Sequence, residues 1–315
     1  MRTTTEQSLG SGAPVLAIDI GGTDIKYGLA DPGGAFIHSG SIPTAANHPG
    51  TMIDRLSALV EDARISHPQQ QPAALGVNVP GIVEEATGVV VTSANLGWSN
   101  FPLKELLESR LGLPVALGHD VQAAGFAEHR LGAARGFDNA LVVVIGTGIA
   151  STIILGGQIY SGHGYAGEIG HSRIEPLGSA AAILCPCGAA GCLQTVSSAS
   201  AIARHYSAAV GRDVPGAKEV MAAAANDDGA AQLVMDRAFD GLALALAQNV
   251  AMLAPEIVVI GGGLAEAGDA LLEPVARRLE SVLSFHRRPQ LVTAALGSAA
   301  GMVGAALKAR ELAAG

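Results

Sequence analysis

The three cysteines of the chain, Cys185, Cys187 and Cys192, stand together in the stretch CPCGAAGC, and His171 closes the earlier stretch GEIGH. Three thiols and an imidazole make a complete shell for a tetrahedral zinc ion. Gly188 and Gly191 let the loop between the last two thiols turn back toward one ion. Three buried free cysteines are the plain alternative, but such thiols have no reason to gather in a glycine-rich loop. An odd count argues against a disulfide framework. A filled Cys3His shell leaves no open position for water, so the expected ion is structural and a zinc hydrolase is disfavoured.

A second set of residues could handle phosphate and protons. Val15–Ile20 is an apolar run interrupted by Asp19, and Gly21, Gly22 and Thr23 follow before Asp24–Leu29 alternates as a second strand. A glycine hairpin between strands presents backbone N–H groups to a phosphate without interference from Cβ. The sequence fits neither the Walker loop nor the dinucleotide fingerprint. The same pattern returns at Asn139–Ile145, Gly146-Thr147-Gly148 and Ile149–Leu155, and a third glycine turn, Gly261-Gly262-Gly263, follows Ile257–Ile260. The repetition points to two related α/β lobes. Asp120 ends the short apolar strand Val115–Leu117 and precedes the helical stretch Val121–Leu131. Open α/β sheets place ligands at such strand ends, but a helix cap also calls for aspartate there. Spacing alone leaves both roles open.

Other elements frame these residues. Thr51–Ser66 has helical spacing, with Met52, Leu56, Leu59, Val60 and Ala63 on one side. Ala74–Val79 reads as a buried strand closed by Pro80-Gly81, Val89–Thr92 as a strand leading to Asn95-Leu96-Gly97-Trp98, and Leu103–Leu111 as a helix. Gly241–Ile260 is interrupted by Gln248, Asn249, Pro255 and Glu256, so it reads as a buried helix and strand, not a membrane span. Trp98 reads as wall or core, and Glu84, Glu85, Arg287 and Arg288 as solvated loop charges. Of the 315 residues 49% are hydrophobic and 15% charged, enough for large cores, and the net charge of −9 shows no basic patch for nucleic acid. Met1–Ala13 is polar and reads as a frayed tail, not a signal peptide. Free thiols suit a reducing cytoplasm.

GEIGH followed by CPCGAAGC resembles the paired signature of the ROK family of bacterial sugar kinases and sugar-responsive repressors. The resemblance runs from about Leu16 to Leu307. It implies a two-lobed actin-like ATPase (ribonuclease H-like) α/β fold with a structural zinc loop. One lobe is expected at residues 13–118 plus 298–315, the other at 119–297. It also implies ATP with Mg2+, structural Zn2+ and a homodimer, with no nucleic acid or membrane partner. Asp120 then matches the catalytic base that takes the proton of a sugar 6-hydroxyl. Asp19 matches the acid that orients magnesium, while Gly21, Gly22, Thr23, Gly146, Thr147 and Gly148 face phosphate and Gly261–Gly263 the adenosine. Gly81, Asn95, His119, Glu168, His171 and residue 194 match sugar contacts, with His171 also a metal ligand beside Cys185, Cys187 and Cys192.

The chain departs from the family pattern in its sugar shell. His119 replaces the usual asparagine that reads the 3-hydroxyl, and Gln194 replaces a glutamate near the anomeric end. The spacer from His171 to Cys185 is longer, with Gly178–Ala182 as filler. Changed readers suggest a changed sugar, so the expectation is a hexose kinase for kanosamine, a 3-amino glucose of antibiotic pathways. The alternatives are an ordinary glucokinase, a sugar-binding protein with decayed activity, and a sugar-sensing repressor. The first hairpin comes too early in this sequence to follow a repressor's DNA-binding domain.

Overall fold

The apolar run Val15–Ile20 becomes β1, the middle strand of a five-stranded sheet. The structure is a computed structural model and describes residues 8–44, 49–176, 179 and 181–315. The chain divides into two compact units, one comprising Met1–Leu131, Ser161–Ala166 and Ala299–Gly315, the other Gly132–Tyr160 and Gly167–Ser298.

In the first unit β1 pairs antiparallel with β2 (Asp24–Ala30), which pairs with β3 (Phe36–Pro43). On its other side β1 runs parallel to β4 (Ala74–Val79), and β4 to β8 (Val115–His119). Successive side chains of a strand point to opposite faces. Leu16, Ile18 and Ile20 accordingly join one core with Met52, Leu56 and Val60 of α1 (Pro49–Ser66) and Leu103 and Leu107 of α2 (Leu103–Leu111). Asp19 lies on the other face, where α9 (Ala300–Ala314) packs over the sheet and against α3 (Asp120–Leu131). The small residues of α9 allow this approach. A Cβ on Gly304 would stand 2.0 Å from the carbonyl oxygen of Ala123. A side sheet of β5 (Ile82–Glu84), β6 (Val89–Ser93) and β7 (Trp98–Phe101) completes the unit.

The second unit repeats the plan. Its sheet runs β11 (Gln158–Tyr160), β10 (Ile149–Leu155), β9 (Ala140–Ile145), β12 (Ile257–Gly261) and β13 (Gln290–Thr293). The first three are antiparallel and the last two run parallel to β9, as in the first sheet. After the cysteine-bearing loop come α4 (Gln194–Ser197), α5 (Ala199–Val210), α6 (Ala217–Ala225) and α7 (Gly229–Leu253), and α8 (Asp269–Val282) follows β12. Leu141, Val143 and Ile145 of β9 share a core with Phe239, Leu242 and Leu246 of α7. Asp228 caps α7 by accepting from the Ala231 N–H at 2.9 Å.

Several expectations meet a different local physics. The division falls after Leu131, beyond the expected 118, because α3 packs on α9. Ser161–Ala166 also belongs to the first unit, where Gly164 sits flush against the Val83 carbonyl. The described part of the expected tail is tied down. The Leu9 N–H donates to Gly34 O at 3.1 Å, the Gly12 N–H to Pro32 O at 3.0 Å, and the buried Arg310 to Gly10 O. Residues 1–7 of that tail, and 178 and 180 of the expected filler, lie outside the described residues. No helix among the described residues is long and apolar enough to cross a membrane. Because Gly304 has no room for a side chain, Gly304→Ala is expected to lower the unfolding free energy by about 1–3 kcal/mol, as overpacked cores do. An earlier urea transition for the first unit would report it.

Candidate active site and metal loop

Asp120 is the first residue of α3, directly after β8. The preceding residue caps the helix. The His119 ring is buried, 7% exposed, and its Nδ1 accepts from the Gln122 N–H at 3.4 Å. A ring nitrogen that accepts carries no proton, so the neutral imidazole holds its hydrogen on Nε2. That nitrogen faces Asp120 Oδ1 at 3.1 Å. The same oxygen takes the Val121 N–H at 2.8 Å. The aspartate is therefore oriented through Oδ1. Burial raises its pKa to about 6, against the opposing pull of the backbone N–H donors of Val121 and Asp120 itself. Although 31% of the side-chain surface is solvent-exposed, the packed surroundings outweigh that opening.

Asp19 has a partner that the sequence pattern conceals. Asn78 of β4 is its register neighbour across the parallel pair, fully buried inside the run ALGVNV. Its Nδ2 donates to Gly301 O at 2.8 Å and lies 3.5 Å from Asp19 Oδ1. Burial first, and then the charge of Asp120, raise the Asp19 pKa to about 6. The Gly21–Thr23 turn beside it is closed by the Gly21 N–H on Asp24 O at 2.9 Å and braced by the Thr44 hydroxyl on Gly21 O at 2.8 Å. Thr23 itself is exposed. Gly81 has φ +113° and Thr92 O where a Cβ would be, so close strand packing already requires glycine there. Asn95 is exposed on a turn anchored by buried Leu96 and Trp98. Glu85 is not a free loop charge: Lys308 of α9, itself mostly buried, binds it.

In the second unit the Gly146 N–H donates to Gly148 O at 2.9 Å, closing the matching turn, and Thr147 and Gly148 are exposed. Gly261 ends β12, Gly262 and Gly263 follow it, and beyond them opens a mostly apolar cavity of about 460 Å³. Gly263, Leu264 and Glu266 form one wall, with Lys218 and Met221 of α6 opposite. A cavity of this size can hold a drug-sized ligand.

The four expected metal ligands converge. One donor atom each from His171, Cys185, Cys187 and Cys192 lies within 4.8 Å of the others. Cys187 Sγ and Cys192 Sγ are 3.7 Å apart, as are Cys185 Sγ and His171 Nδ1. A tetrahedron with zinc–sulfur bonds of about 2.3 Å has edges of about 3.8 Å, so the cluster fits a zinc ion. The remaining nitrogen of His171, Nε2, faces Glu168 Oε2 at 3.9 Å, longer than a hydrogen bond. Gln194 does not extend into open space: its Nε2 donates to Cys185 Sγ at 3.2 Å.

The ROK family pattern matches residues 15–311. The chain is 35% identical over 312 residues to a glucokinase of Halalkalibacterium halodurans, covering 92% of each chain. Among solved structures it resembles a ROK hexokinase from Thermus thermophilus, at 32% identity and TM-score 0.80, covering 96% of this chain and 100% of that one. It also resembles a ROK family glucokinase from Streptomyces griseus in complex with glucose and AMPPNP, at 29% identity and TM-score 0.79, covering 95% and 100%. This chain belongs to the ROK family and has its actin-like two-lobed α/β fold.

Elemental analysis of the purified protein is expected to find one zinc per chain. Cys187→Ala should lower that content, and full activity in a metal-free wild type would refute the assignment.

Proposed function

We propose that this ROK-family sugar kinase transfers the γ-phosphoryl group of ATP to the 6-hydroxyl of glucose, with Asp120 as the general base. The observation that carries the reading is the partly buried carboxylate directly after β8, oriented through Oδ1 by His119 and Val121. The sugar hydroxyl hydrogen-bonds the other oxygen, Oδ2. As O6 attacks phosphorus, its proton passes to Asp120 and the bond from the γ-phosphorus to the ADP oxygen breaks. General-base assistance is typically worth about 10²–10⁴-fold, and positioning supplies much of the rest. Magnesium, arriving with ATP, offsets phosphate charge when bound, and Asp19 is the acid that would hold it. The backbone N–H groups at Gly21–Thr23 and Gly146–Gly148 take phosphate oxygens, and the cavity beyond Gly263 takes the adenosine. Asn95, Glu168 and His171 contact the sugar.

Glucose is favoured over kanosamine because both departures in the sugar shell have partners within the protein. Each His119 ring nitrogen already has a neighbour in α3, and the Gln194 amide is directed at Cys185. Neither side chain needs an altered sugar to explain it. A comparison of kcat/KM for glucose, kanosamine, mannose and N-acetylmannosamine is expected to rank glucose first. A kanosamine preference on the order of 10²-fold, the scale of a site built around a polar substituent, would return the specificity to C3.

Asp120→Asn should keep glucose binding while kcat falls about 10²-fold or more. The base must be ionised to act, so activity should be present above its pKa and lost as pH falls through it. With that pKa near 6, the acid limb of kcat/KM is expected near pH 6, not near the ordinary aspartate value of about 4. Turnover within a few-fold of wild type in Asp120→Asn would remove it as the base.

A further inference from the structure

We infer that Gln194 joins the metal cluster to the Gly146–Gly148 turn, so that the ion fixes the shape of that turn. The amide spans the two features. Its Nε2 donates to Cys185 Sγ at 3.2 Å, and its Oε1 lies 3.1 Å from the place a Cβ on Gly148 would occupy. An N–H donor to a metal-bound thiolate is the kind of outer contact that orients a ligand and tunes its charge. A glutamate at this position could make no such donation when ionised, and its charge would oppose the sulfur.

The chain around Gln194 makes the same connection. Directly after Cys192 it enters α4, and at the start of α5 it returns to the turn. There the Ala199 N–H donates to Gly146 O at 2.9 Å, and the Ser200 hydroxyl donates to Thr147 O at 2.6 Å. The other end of the metal loop grips the strand that leaves the turn. Ser151 of β10 donates to Gly167 O from its N–H at 2.7 Å and from its hydroxyl at 2.9 Å. Gly170 is pressed against Ile149 O, where a Cβ would stand 2.0 Å away. His171 and Cys192 therefore end two segments that hold the turn from both sides. An ion ligated by both would clamp those segments together.

The connection itself is tested without turnover. Hydrogen exchange of the amides over residues 144–150 is read in the loaded protein, after removal of zinc by a chelator, and in Gln194→Met, which keeps side-chain length but has neither donor nor acceptor. Exchange in this segment is expected to rise at least tenfold on zinc removal and several-fold in the loaded variant, with the Gly21–Thr23 turn unchanged. Gln194→Asn, whose amide is too short to span the gap, should behave like Gln194→Met. Unchanged exchange at 144–150 in the stripped protein or in both loaded variants overturns the inference. A further consequence rests on the kinase reading: the Kd for AMPPNP should rise about tenfold in Gln194→Met, while that for glucose changes less than threefold. The reverse pattern would make Gln194 a sugar contact and overturn the inference. If the wild type binds no AMPPNP, the kinase reading fails and the exchange result alone decides the connection.

Discussion

Removing a carboxylate from water is costly unless protein groups replace the lost hydration. The first unit does this twice, at Asp19 and Asp120, and much of its architecture follows. Asp19 is covered by α9 and approached by the Asn78 amide, while Asp120 receives His119 and a backbone N–H at the start of α3. Burial outweighs the opposing pull of Lys26 on Asp19 and of backbone donors on Asp120, and both pKa values stay raised. The charge of Asp120 further raises the Asp19 pKa. Both carboxylates are thus held closer to protonation than an exposed aspartate is, at the cost of electrostatic stability.

The two sheets show how one plan can carry different chemistry. Each has an antiparallel series of three strands followed by two parallel ones, and each places a small-residue turn between its first two strands. The first turn is braced by Thr44, just beyond β3, the second by the α4–α5 segment that follows the cysteine-bearing loop. The difference lies in what braces the turn. In the first unit it is the residue that follows β3, and in the second it is a segment that begins after the cluster of His171 and the three cysteines.

The sequence made legible whatever is local. The cysteine cluster, the three glycine turns and the aspartate after β8 each sit within a short stretch whose composition demands explanation. Asn78 was hidden because a single asparagine in an apolar strand looks like tolerance, and only the register with Asp19 gives it a task. The Glu85–Lys308 pair joins residues 223 positions apart, so Glu85 read as an ordinary solvated charge. His119 and Gln194 stood out as departures, but their partners depend on rotamers and on the return path of a loop. Spacing carries no such information, and an altered sugar was the nearest explanation that the sequence offered.

The dependence of the first unit on α9 also bears on how the protein is made. Asp19 and Asn78 leave the ribosome early, whereas Gly301, whose backbone approaches one and accepts from the other, is synthesised 223 residues after Asn78. Contacts so distant in sequence must bear loop-closure entropy before they return any stabilisation, which slows their formation. The second unit is built almost entirely from the intervening chain, and domains generally fold as units during synthesis. The half of the molecule translated first is therefore the half completed last, and Asp19 keeps its water until α9 arrives to cover it.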